Sequence, residues 1–269
     1  MHGRSERRTL PTPGLLALIA AFWLVPQVVA LFAVPGVATG PSYGSVRAAL
    51  QWEVVPDAGG AVIALWAIVW LGWVDLVRHE RFRTRRWVAV VPVVMVGAAV
   101  GATDLGRLDD AGAGLVTVLV VGTFFTGVSE ELMFRGITLQ AMRDRHREWL
   151  AAALSSLLFG ALHLANIVVA GPGAIIQAFW ATGLGYLLYL CRRVGGGMAL
   201  PIVVHWVWDI SSFSPVLGRD DEVIETKAFA LFLMTLALLA VVAVRRRSVP
   251  TSPPPTGPTS GVAGGGAQK

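Results

Sequence analysis

Long apolar stretches recur along the chain, each closed by charged or Gly- and Pro-containing sequence. Runs of about 18 residues or more are long enough to cross the hydrocarbon of a bilayer as helices. Taken in order, the runs predict helices at about 14–35, 58–77, 87–103, 114–142, 149–169, 174–191, 198–213 and 226–244. The expected fold class is all-α: a polytopic membrane protein of about eight transmembrane helices in one bundle, with an intramembrane polar cavity. Residues 1–13 read as a basic cytoplasmic N-terminus, 14–247 as the membrane domain, and 248–269 as a disordered tail of Pro, Ser, Thr and Gly. Arg4, Arg7 and Arg8 before Leu15 mimic a secretory leader, but the apolar run continues to Val34 and is read as a retained helix.

Charge then orients the bundle. Basic clusters fall at the N-terminus and after the second, fourth, sixth and eighth predicted helices, as in Arg81, Arg83, Arg85 and Arg86 or Arg192 and Arg193. The connections between them are neutral or acidic, as at Asp104, Asp109 and Asp110. That alternation puts both termini in the cytoplasm by the positive-inside rule, so the net charge of +5 needs no nucleic acid to explain it. With 55% hydrophobic and 14% charged residues the chain is far from a soluble composition, which carries about 25% charge. The arginines number twenty beside Lys227 and Lys269, a bias that points to GC-rich coding and a bacterial cell membrane. The single cysteine, Cys191, rules out an internal disulfide.

Candidate chemistry lies where the apolar runs are interrupted. Ser129-Glu130-Glu131-Leu132-Met133-Phe134-Arg135-Gly136 puts three ionisable groups within six residues of the fourth helix. Each costs about 2.5–3.5 kcal/mol near the bilayer centre on insertion scales. The fifth helix carries Phe159 and His163, the seventh His205 and Asp209. Counting from the nearest basic cluster at a rise of 1.5 Å per residue, Glu130, His163 and His205 share a depth of roughly 18–24 Å. Each also lies on a narrow polar stripe: Glu130 with Thr123, Thr126 and Gly127, His163 with Ser156, Gly160 and Asn166, and His205 with Asp209 and Ser212. Glu131 and Arg135 are spaced i,i+4, the geometry of an ion pair. We therefore assign Glu131 and Arg135 to structure and Glu130 to chemistry. Interhelical polar glue is the competing reading of each group alone; six such groups at one depth favour a site.

Glu130-Glu131-x-x-x-Arg135, Phe159-x-x-x-His163 and His205-x-x-x-Asp209, in this order on separate helices, resemble the CPBP (CAAX protease and bacteriocin-processing) family of intramembrane proteases, related to type II CAAX prenyl endopeptidases. The resemblance covers roughly residues 113–212. It implies an intramembrane endopeptidase cleaving a membrane-associated protein or peptide near its C-terminus, with catalytic Glu130, His163, His205 and Asp209. Glu130 with His163 would activate water, and His205 with its i+4 partner would stabilise the oxyanion. Glu131, Arg135 and Phe159 take orienting roles. In the prenyl-protein branch the i+4 partner is typically Asn. Asp209 departs from that, because an ionised carboxylate accepts hydrogen bonds and cannot donate to an oxyanion.

The residues also leave the cofactor open. Glu130, His163, His205 and Asp209 could hold a divalent metal such as zinc, or activate water without one. No His-Glu-x-x-His is present. The expected partners are a membrane-associated protein or peptide substrate and the lipid bilayer, with no nucleic acid. Two other classes compete: a non-catalytic scaffold or bacteriocin-immunity-type membrane protein, disfavoured by the intact motifs, and a proton-coupled transporter, disfavoured by the lack of two related halves.

Overall fold

A computed structural model describes residues 7–38, 40–82, 84–167, 171–219 and 226–245. Among these the regular structure is helical, with no strand. Five helices are long and apolar enough to cross a membrane: α1 (Thr12–Ala33), α2 (Val46–Leu71), α4 (Leu105–Arg143), α5 (Glu148–Asn166) and α6 (Gly173–Gly195). Further helices pack beside them, among them α3 (Arg86–Ala102) between α2 and α4 in the chain, then α7 (Ala199–Phe213) and α8 (Thr226–Val244). The predicted tail at 248–269 and the first six residues lie outside the described residues.

The outer faces are apolar. On α2, Val62, Leu65, Trp66, Val69 and Trp70 are exposed, whereas Ala61, Ala64, Ala67 and Ile68 face inward. Small residues inward and large apolar ones outward is the distribution of a helix in lipid, where close packing rather than the hydrophobic effect joins helices. Together with the long apolar helices it makes this an integral membrane protein.

Chain reversals bring several of the arginines to one end. There Arg7 pairs with Asp144 at 2.6 Å, Arg145 donates to Leu10 O, and Arg245 lies 5.5 Å over the Trp87 ring. At the opposite end Gly218 N donates to Tyr43 O at 2.9 Å and Asp104 N to Ser214 Oγ at 2.8 Å. The basic end is sealed by Glu80, whose side chain is 1% exposed and pairs with both Arg143 (2.9 Å) and Arg192 (2.7 Å). Arg143 also holds Glu148 at 2.6 Å, so the loop after α2 is tied to α4, α5 and α6.

The structure corrects the second predicted helix. α2 starts at Val46, twelve residues before the expected 58, and ends where Gly72 turns left-handed at φ 70° rather than at 77. Glu53, Pro56, Asp57, Gly59 and Gly60 look like a loop in sequence but lie on the helix. A π-turn over Leu50–Val54 precedes Pro56, accommodating a residue with no N–H and a ring that crowds the preceding turn. Gly59 and Gly60 press against Pro26 and Phe22 of α1; a Cβ at either would come within 2.9 Å of them. The kink-forming Pro26 is thereby packed against backbone. The membrane part of α4 begins after Gly112, where φ 80° and ψ 158° break the helix, close to the expected start.

Candidate active site

α4, α5 and α7 bring the sequence-predicted groups together unevenly. After Glu131 the helix widens into a π-turn over Leu132–Thr138, every residue of which is buried. Gly127 sets α4 against α7: a Cβ there would sit 3.2 Å from Ile202 O and 3.3 Å from Trp206 N. One turn on, Glu130 and Glu131 both reach His205 of α7.

Glu131 is fully buried and forms the expected ion pair with Arg135, at 2.8 Å. The same Oε1 accepts from His205 Nδ1 at 3.0 Å. The Arg135 guanidinium lies 4.2 Å over the Phe159 ring, a cation–π contact that offsets part of its desolvation. Gly185 makes room, since a Cβ there would fall 3.0 Å from both Arg135 Nη2 and Phe159 Cδ1. Phe159 in turn packs edge-on against His163 (5.0 Å) and His205 (6.0 Å). Phe159 therefore touches all three polar elements, which explains an aromatic at that position.

The other face of His205 carries the remaining carboxylates. Its Nε2 is 3.6 Å from Glu130 Oε2 and 3.4 Å from Asp209 Oδ2. His163 stands apart from this cluster: its Nδ1 donates to Phe159 O at 3.0 Å in a 3₁₀ turn that ends α5. A carbonyl only accepts, so this bond places the proton on Nδ1 and leaves the Nε2 lone pair available. Glu130 makes its side-chain contact with His205 rather than with His163. Among the described residues no three His, Cys, Asp or Glu side chains are arranged to hold a metal ion, so Glu130, His163, His205 and Asp209 do not fit one as they stand. A cavity of about 300 Å³ opens elsewhere, between α5, α6 and α8, with Ser156, Trp180, Tyr186 and Thr235 on its walls. It is largely apolar and is not the polar cavity expected around the motifs.

Two carboxylates escaped the sequence reading. Glu53 and Asp57, on the corrected part of α2, lie in electrostatic range of Glu130 and Asp209. Asp57 accepts a short hydrogen bond from Thr126, one turn before Glu130. Thr126 on the Glu130 stripe was the available signal, but Glu53 and Asp57 were assigned to a loop.

A helical membrane bundle with carboxylates and an imidazole buried among its helices defines an integral membrane protein with a polar core. Residues 112–211 match the family model described as Type II CAAX prenyl endopeptidase Rce1-like. The match spans all three motifs and upholds the resemblance to the CPBP intramembrane proteases, at the level of a peptidase family. A search of curated proteins and a search of solved structures each find no match.

Proposed function

We propose that the protein is an intramembrane endopeptidase acting on a membrane-associated protein or peptide through Glu130, His163, His205 and Asp209. The observation that carries this reading is the bracket of His205 by Glu130 and Asp209, within the stretch that matches the peptidase family. Glu130 acts as general base and takes a proton from water, whose oxygen attacks the scissile carbonyl carbon. His163, with Nδ1–H held by Phe159 O, offers its Nε2 lone pair to the second water proton. His205 turns its Nε2–H to the oxyanion while Glu131 fixes the ring at Nδ1. When the C–N bond breaks, Glu130 returns its proton to the departing amine. The residues as arranged give no step to a metal.

We further propose eight membrane passes, α1 to α8, in one domain, with the arginine-rich end in the cytoplasm. The alternation of basic clusters supports this topology. The test is cleavage of membrane-anchored reporter peptides by the purified full-length protein in proteoliposomes, compared with Glu130→Ala. Loss of cleavage in the variant supports the assignment; equal cleavage by both overturns it. Binding without any cleavage by the wild type would favour a scaffold.

A further inference from the structure

The α2 carboxylates have no role in the reaction above, yet they lie beside the α4 stripe that carries Glu130. Gly122, Thr126 and Glu130 recur every fourth residue on one stripe of α4. The Tyr43 hydroxyl lies over Gly122, where a Cβ would be 2.7 Å from Oη. Asp57 is bonded to Thr126, and Glu53 neighbours Asp57, so the acidic track leads from the 34–45 connection to Glu130.

Two features ask for a ligand. Among the described residues, five carboxyl groups (Glu53, Asp57, Glu130, Glu131 and Asp209) share the polar core with two cationic side chains, Arg135 and His205. Glu131 engages both cations, and neither Glu53 nor Asp57 is ion-paired among the described residues. Separately, the Tyr43 hydroxyl is buried, with the residue 2% exposed, and has no hydrogen-bond partner among the described residues. Its electrostatic neighbours are Glu53, Asp57 and Asp209. Burial, then those carboxylates, holds its proton on, so it is a donor aimed into the track with nothing to receive it.

We infer that Glu53, Asp57 and Tyr43 form a substrate subsite for a cationic side chain, a guanidinium or ammonium, with the Tyr43 hydroxyl donating to a backbone carbonyl of the same residue. The inference rests on the peptidase reading for the identity of the ligand as substrate. Asp57 lies at the level of Thr126, four residues or about 6 Å along the helix from Glu130. An extended peptide advances about 3.3 Å per residue, so the basic residue falls about two residues from the scissile bond.

The test separates binding from cleavage. Calorimetric titration of the purified full-length protein uses N-acetylarginine amide and its neutral isostere N-acetylcitrulline amide, at constant ionic strength. The arginine probe should bind about tenfold more tightly or better, and Glu53→Gln with Asp57→Asn should erase that preference. Tyr43→Phe should weaken arginine binding several-fold without lowering the melting temperature, since the lost hydroxyl makes no bond among the described residues. Equal binding of the two probes, or an arginine preference that survives the double variant, overturns the subsite; so does Tyr43→Phe that destabilises the protein but binds normally. If zinc or calcium alone binds and competes for these carboxylates, the site is a metal site and the inference fails. Should the double variant not fold, the citrulline comparison and Tyr43→Phe still decide. Arginine binding with no cleavage of any arginine-containing reporter would fault the peptidase reading and leave the cation site standing.

Discussion

Glu131 Oε1 accepts from His205 Nδ1 at 3.0 Å across the α4–α7 interface. The same oxygen pairs with Arg135, so one fully buried carboxylate serves an ion pair and a histidine at once. Removing it would strand a guanidinium that is 1% exposed in a low-dielectric interior. Breaking one side of a buried pair costs about 3–5 kcal/mol. Glu131→Ala should therefore lower the melting temperature and the amount of folded protein in membranes. Glu131→Gln, which keeps an acceptor for His205, should lie between the two. A Glu131→Ala protein as stable as the wild type would contradict this.

Glu130→Ala and His163→Ala should act differently. Glu130 is half-buried, and among the described residues its one ion-pair contact is His205, at 3.6 Å. His163 donates to a backbone carbonyl of its own helix. Neither substitution leaves a buried partner charge without its mate. Each should reduce cleavage by about 10²-fold or more, the range for general acid–base groups, with melting temperatures close to wild type. Reporter cleavage at saturating substrate, read beside thermal unfolding, checks both halves.

Glu80 predicts a pH dependence located far from the candidate site. Burial pushes its carboxyl upward, but Arg143 and Arg192, with a hydrogen bond from Phe82 N, outweigh that and hold it below the ordinary carboxylate range. A carboxylate lowered by folding contributes stability above its unfolded value, near 4.3, and loses it as pH falls through the folded value. The melting temperature of the wild type should fall below about pH 4.5. The gap between wild type and Glu80→Gln should be widest near neutrality and close on acidification. A gap that widens at low pH would reverse the sign of the argument.

Much of this was legible in the chain because lipid imposes simple rules. The Glu131–Arg135 pair follows from spacing alone, and the arginine clusters appear at one end of the folded bundle. The unreadable parts share a cause: local sequence that opposes helix and is overruled by packing. Pro56, Gly59 and Gly60 argue for a loop, yet a π-turn and the close approach of Pro26 and Phe22 make them helix, carrying Glu53 and Asp57 inward. Likewise, spacing on α4 could not reveal that Glu131 reaches His205, because that contact depends on the Gly127 crossing with α7.

Asp209 offers the sharpest test of the chemistry, since its Oδ2 is 3.4 Å from His205 Nε2 and an asparagine is typical there in prenyl-protein endopeptidases. Asp209→Asn keeps the shape and replaces a pure acceptor by a group that also donates. Glu130 stays 3.6 Å from the same nitrogen, so His205 retains one carboxylate neighbour at Nε2 and another at Nδ1. On the hydrogen-bonding mechanism the variant should keep cleavage within about tenfold of wild type, since one of several contacts to the ring is altered. Its pH profile should shift, because a charge beside the imidazole is gone. A zinc-dependent mechanism predicts the opposite: a neutral amide is a poor ligand beside a carboxylate, so bound metal and activity should fall together. Elemental analysis of the purified wild type and Asp209→Asn, alongside their cleavage rates from pH 5 to 9, separates the two. Joint loss that excess zinc restores would sink the metal-free mechanism; retained cleavage with an unchanged metal content near zero would sink the zinc one.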